Sequence, residues 1–246
     1  MNAAHAQANP SRYDRLDALR GVAIVWMAAF HFFFDLNHFG MLSATQNFYV
    51  DPFWTQQRTA IVSLFLLCAG AAQAIACQRG QSWPRFWRRW AQIAGCAVLV
   101  SIGSERMFPM SWISFGILHG IAVMLVCARL AAPLRGWLWP LGLFLILLPQ
   151  GVQDPFFDTR WTNWVGLVTR KPVTEDYAPV LPWLGVMLWG LAGGQWLLAT
   201  RTHFASGAVP GMARPLAWLG RWSLSFYMLH QPVLIGALWL WREVSR

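Results

Sequence analysis

Arg20, His31 and Asp35 sit in or at the edge of a stretch that is otherwise almost wholly apolar from Gly21 to Phe34. A charged group in hydrocarbon costs roughly 2.5 kcal/mol or more at a helix centre, so such residues survive where they face a protein interior or a water-filled cavity. Their spacing puts them together. At about 100° per residue, the eleven steps from Arg20 to His31 make close to three turns, and Asp35 lies one turn further. Asp17 and His38 fall on the same stripe. Histidine can act near neutral pH as a base or as a nucleophile that holds an acyl group. An aspartate one turn away can fix its tautomer and stabilise the imidazolium. Arg20, roughly 16 Å back along the axis, suits a phosphate-bearing group by charge-assisted hydrogen bonds. His31, Asp35 and His38 are therefore the candidate catalytic residues.

The elements that must position this stripe are membrane helices. Of 246 residues, 57% are hydrophobic and 12% charged, with 17 Trp and 16 Phe. A soluble domain carries about 25% charged residues, so a buried soluble core does not account for the chain. The net charge of +9 would suggest nucleic acid in a soluble protein. Here the basic residues lie between apolar runs and suit anionic headgroups instead, and no nucleic acid is expected as a partner. Cys68, Cys77, Cys96 and Cys127 fall in or beside apolar runs without a C-x-x-C pair, and are read as small buried hydrophobes. The first apolar run lacks a small-residue cleavage site after it and reads as a retained anchor.

The expected fold is all-α, a polytopic bundle of about seven transmembrane helices. A cytoplasmic tail (1–15) precedes a single membrane domain (16–242). Helices are expected near 16–37, 59–78, 91–104, 111–130, 136–152, 178–199 and 217–241. The patch Cys68-Ala-Gly70-Ala-Ala should let another helix approach closely. The basic, Trp-rich run 78–90 reads as a connector on the membrane surface, and Pro232 as a kink. The polar run 153–177 is long enough without its own elements to suggest a functional loop. Arg12, Arg15, Arg79, Arg85, Arg88, Arg89, Arg129, Arg135, Arg201 and Arg214 cluster on one set of loops. The positive-inside bias then places the amino terminus in the cytoplasm and the carboxyl terminus outside an inner membrane.

Four stretches, in order along nearly the whole chain, give a resemblance. The first runs from Arg15-Leu-Asp-Ala-Leu-Arg20-Gly21 to Phe30-His31-Phe-Phe-Phe-Asp35-Leu. The others are Ile113-Ser-Phe-Gly-Ile-Leu-His119-Gly, Tyr177-Ala-Pro-Val-Leu-Pro-Trp183-Leu-Gly, and Leu219-Gly-Arg-Trp-Ser223-Leu-Ser-Phe-Tyr227-Met-Leu-His230-Gln-Pro. Together they resemble bacterial relatives of heparan-alpha-glucosaminide N-acetyltransferase. The arginine, ten residues, then histidine of Arg20 to His31 is also similar to the signature of membrane acyltransferase family 3. The resemblance implies a multi-helix transferase. It would take acetyl from cytoplasmic acetyl-CoA and place it on an amino or hydroxyl group, commonly of a sugar, on the far side. The first family's reactive histidine, just beyond its first helix, points to His38; the second pattern points to His31, which is ranked first.

Arg20, His119, Ser223, Tyr227 and His230 are the candidates for the acetyl-CoA path, against a plain reading in which they anchor or bond packed helices. Asp176 and Trp183 are the candidates for gripping the acceptor. His31, Asp35 and His38 also have ligand spacing for a metal, but no second helix supplies a comparable cluster, and no metal is expected. Partners expected besides the CoA thioester are membrane lipids and the extracytoplasmic sugar or amine, with a second copy of the chain kept open. Two competing classes use the same stripe: a proton-coupled transporter, and a non-catalytic subunit that binds a partner helix. No inverted repeat is visible between the halves, which counts against the first.

Overall fold

The computed structural model of the protein describes residues 13–201, 207 and 209–245. The proposed tail up to residue 12, Arg12 itself, and most of the basic run 202–208 lie outside the described residues. Every regular element among the described residues is helical: α1 Asp14–His38, α2 Pro52–Gln78, α3 Trp83–Met107, α4 Ile117–Ala131, α5 Leu138–Gly151, α6 Val180–Thr200, α7 Arg214–Arg221 and α8 Ser223–Val244, with short 3-10 turns between. Five helical stretches are long and apolar enough to cross a membrane: Asp14–His38, Pro52–Gln78, Ile117–Gly151, Val180–Thr200 and Ser223–Val244. The third of these contains α4 and α5, which are separated by a break in which Arg135 takes a positive φ of 49°.

Several helices depart from the expected bounds for local reasons. α3 begins at Trp83 with Pro84 in its first turn, so the basic connector is its opening turns and not a surface loop. A first-turn proline has no intrahelical bond to lose. α2 starts earlier, at Pro52, with Asp51 accepting the Phe53 N–H as its cap. α4 starts late because residues 111–116 form a strap: Ser111 accepts the Glu175 N–H, and Thr174 donates to the Trp112 carbonyl. The last expected helix is two, parting at Trp222. The helical assignment of α8 runs on through Pro232.

Close approach is bought with small residues. Gly70 faces the Met187 carbonyl on α6, and Gly190 faces Leu67 on α2. Gly142 and Gly185 bring α5 to α6 in the same way. The largest apolar core lies along these helices, around Leu66, Met124, Met187, Leu188 and Leu191. The short α7 lies on the start of α1, where Gly220 meets the Asp17 carbonyl and Gly21 meets Leu216.

One end of the bundle is basic and tied by arginine. Arg221 pairs with Asp14 at 3.0 Å, Arg79 lies over Tyr13, and Arg129 lies over Trp83 while donating to the Gln81 carbonyl. The far end carries the loops 39–51 and 152–179. There Asp154 caps a turn, Asp158 accepts from Thr169 and the Arg170 N–H, and Tyr177 donates to the Asn163 carbonyl. The long polar run is thus knit together, with its acids at 154 and 158 used as turn supports.

Candidate functional site

α1 packs against α2 on one side and α8 on the other. With α3 and α4 opposite, they enclose a cavity of about 850 Å³. Its wall takes in Arg20, Arg89 and Arg221 at the basic end, His31 and His230 further along, and Arg58, Glu175 and Asp176 at the far end. Between them the lining is largely apolar, including Phe86, Ile93, Leu118 and Ile121. The helical stripe therefore does face a cavity, and that cavity carries groups from both ends of the bundle.

The nearest polar neighbour of His31 is not the aspartate one turn away. His31 Nδ1 lies 2.8 Å from His230 Nε2, with the rings stacked at 5.0 Å between centroids. His230 Nδ1 in turn lies 2.7 Å from the Tyr227 carbonyl oxygen. A carbonyl only accepts, so Nδ1 of His230 carries the proton. With both rings neutral, His230 Nε2 is then the acceptor and His31 Nδ1 the donor, which leaves the lone pair of His31 Nε2 open. This chain of hydrogen bonds fixes the tautomer of His31. His230, a candidate for the acetyl-CoA path, thus lines the cavity as the hydrogen-bond partner of His31.

Asp35 has a different partner. Its Oδ1 accepts from Gln231 Nε2 at 2.9 Å, so Gln231 and not His31 is its partner. Asp35 is 3% exposed, and its Oδ2, like Gln231 Oε1, has no hydrogen-bond partner among the described residues. Two buried acceptors on a cavity wall are a cost unless something with N–H or O–H groups meets them. His38 lies exposed at the end of α1, edge-on to Phe39 and Phe108, and lines the cavity's far end.

The other expected residues divide. Arg20 and Ser223 line the basic part of the cavity; Arg20 pairs with Asp17 at 3.0 Å. Tyr227 lines it further along and hydrogen-bonds Asp176. Asp176 also accepts the Ile117 N–H at 2.7 Å, filling the start of α4, and burial raises its carboxyl above the ordinary aspartate range despite nearby Arg58 and Lys171. A side chain at Gly116 would collide with that carboxylate. His119 turns toward α3, with Nδ1 accepting the Gly116 N–H and Nε2 3.2 Å from Ser101 Oγ, so it serves packing between α3 and α4. Trp183 is half-buried against the main core and is not on the cavity wall.

Sequence reasoning passed over Gln231, Tyr49, Glu175, Arg58, Arg89 and Arg221, all on the cavity wall. Gln231 was signalled by its place beside His230. Arg89 was hidden because its run reads as a surface connector. Tyr49 and Glu175 come from two loops joined only in space: the Tyr49 hydroxyl donates to Glu175 Oε2 at 3.2 Å, and the Ser111 hydroxyl donates to Glu175 Oε1 at 2.5 Å. Burial and Glu175 together push the Tyr49 phenol up to about 12. Among the described residues no group of three or more His, Cys, Asp or Glu side chains is arranged to hold a metal ion.

An all-helical bundle with five stretches long and apolar enough to cross a membrane, and a histidine pair on an internal cavity, defines a polytopic membrane protein. Residues 12–232 match the model of a family described as heparan-alpha-glucosaminide N-acetyltransferase, catalytic. The chain belongs to that family. No curated protein and no solved structure matches it.

Proposed function

We propose that the protein moves an acetyl group from acetyl-CoA on the cytoplasmic side of an inner membrane to an amino or hydroxyl group, on a sugar, on the other side. The observation that carries this is the single cavity joining Arg20 to His31 to Asp176. The donor fits the basic end. Arg20, Arg89 and Arg221 would hold its phosphates, offset in part by Asp14 and Asp17. The apolar stretch past Phe86 and Ile121 suits an extended pantetheine arm.

His31 Nε2 takes the proton from the acceptor's N–H or O–H group as that atom bonds to the acetyl carbonyl carbon. The carbon–sulfur bond breaks, and the CoA thiolate leaves with the proton from the His31 imidazolium. Asp35 Oδ2 and Gln231 Oε1 accept the remaining donors of the incoming group. The bias of arginine toward the start of α1 supports a cytoplasmic amino terminus, with the far-end loops outside.

Incubating the purified protein with radiolabelled acetyl-CoA tests the reading. CoA release with label passed to an amino sugar, lost in His31→Ala, is the expected result; uptake of a solute without CoA release would instead make the protein a carrier. Label retained on the wild-type chain would make His31 a transient acyl carrier and not a base. Arg20→Ala should raise the KM for acetyl-CoA with a smaller change in kcat, and a loss matching that of His31→Ala would count against phosphate binding there.

A further inference from the structure

The cavity wall is incomplete on one side. α3 packs on α4 and α8 packs on α1, while α3 and α8 meet each other only sparsely. Leu99, Gly103 and Met107 on α3 line the cavity, as do Pro232 and Ile235 on α8. Leu99 is 60% and Met107 52% exposed, and Gly103 and Pro232 are exposed as well. Exposed cavity-lining residues on two helices that meet only sparsely mark an opening between them. Positions 99, 103 and 107 are four apart and form one stripe of α3. A side chain built at Gly103 would meet nothing within 4 Å.

The depth of this slot says what can fill it. Pro232 follows His230 and Gln231 directly, inside a helix apolar enough to span a bilayer. On α8 the slot therefore opens sideways at the level of the histidine pair, into hydrocarbon, where a bare sugar or water does not arrive, and on α3 it extends to Met107 toward the far end. The far end has the opposite character. A second cavity of about 290 Å³ adjoins there, lined by Asn37, Thr45, Gln46 and Asn47, and it shares His38, Tyr49 and Glu175 with the first. Polar chamber, reacting histidine and apolar slot follow one another, which is the polarity of an amphiphile. The arginines that suit the donor lie at the other end of the cavity, so the slot is left to the acceptor.

We propose that the acceptor is lipid-linked: its sugar head occupies the polar chamber and reaches His31, and its hydrocarbon chain leaves between α3 and α8 into the bilayer. This rests on the acyltransferase reading of the cavity. The test uses the full chain in lipid nanodiscs with acetyl-CoA and two acceptors, methyl and dodecyl β-D-glucosaminide. The dodecyl compound should show a KM lower by about tenfold or more, since each buried methylene favours binding. Gly103→Trp should abolish the preference, bringing the ratio of the methyl to the dodecyl KM to about one.

Because a chain also concentrates its head in the bilayer, a preference that survives Gly103→Trp reflects partition alone and overturns the proposal. Equal KM values for the two acceptors overturn it too. So does a slot that prefers dodecanoyl-CoA over acetyl-CoA, which would give it to the donor. A second readout does not need turnover: a diazirine at the end of the dodecyl chain should cross-link to residues 99–107 and 228–235 without acetyl-CoA, and not in Gly103→Trp. Cross-linking with no acetylation of either acceptor would leave the slot in place and sink the transferase reading. Acetylation without cross-linking would do the reverse. Cross-links across position 103 between two copies would show the slot closed by a second chain, and would also overturn it.

Discussion

His31 and His230 come from helices at opposite ends of the chain, and the 2.8 Å between them gives each a different task. His31 keeps the open lone pair; His230 holds the tautomer. Replacing His31 by Ala should lower acetyl transfer by at least about a hundredfold, the low end of what a positioned base supplies. His230→Ala should lower kcat and leave the KM for acetyl-CoA unchanged. His230→Gln keeps an acceptor oxygen for the His31 N–H, so it should recover part of the loss. Equal defects in the Ala and Gln variants would remove the orienting role. Asp176 yields a stability prediction. Burial raises its carboxyl above the ordinary aspartate value, so the folded state favours the protonated form. The stability this contributes is present below the unfolded value and is lost as pH rises through the folded one. Asp176→Asn should flatten that decline, seen as a smaller fall in Tm as pH rises from about 4 toward neutrality.

Among the elements, α7 is the one whose place depends most plainly on missing side chains. It is eight residues long, too short to be stable alone, and it is held where Gly220 and Gly21 let two backbones touch. Gly220→Ala should destabilise the protein by about 1–3 kcal/mol through overpacking, read as a lower Tm in detergent. Gly95→Ala on α3, where a side chain would meet nothing within 4 Å, should be neutral or slightly stabilising. If both variants lowered Tm alike, the close approach of α7 to α1 would not be what matters. The seating of α7 also sets the site, because Arg221 closes its last turn and reaches Asp14 and Asp17 beside Arg20.

At the scale of the whole molecule, the charge distribution argues for a fixed direction across the membrane. In the proposed reaction the donor would bind where the arginines collect, and the acceptor beside Tyr49, Glu175 and the knit far-end loops. A phosphatase fused after residue 245 should be active outside the cytoplasm, and a fluorescent protein fused there should stay dark. The opposite pattern would reverse the direction of acetyl transfer. The loops 39–51 and 152–179 meet through Glu175 and Ser111, so the far mouth is framed by segments distant in the chain.

Local chemistry made much of this legible in advance. The periodicity of the apolar runs marked helices, and three helical turns were enough to place Arg20, His31 and Asp35 on one face of α1. Small residues at Gly70 announced a close neighbour. What spacing along one helix does not contain is which groups other helices bring to it. Asp35 was the obvious partner for His31 by register, and the tertiary fold gave that place to His230, 199 residues away. His119 and Trp183 had the right residue types and face packing partners instead. The opening between α3 and α8 was invisible for the same reason: it is a space between elements, and helical periodicity describes only the elements.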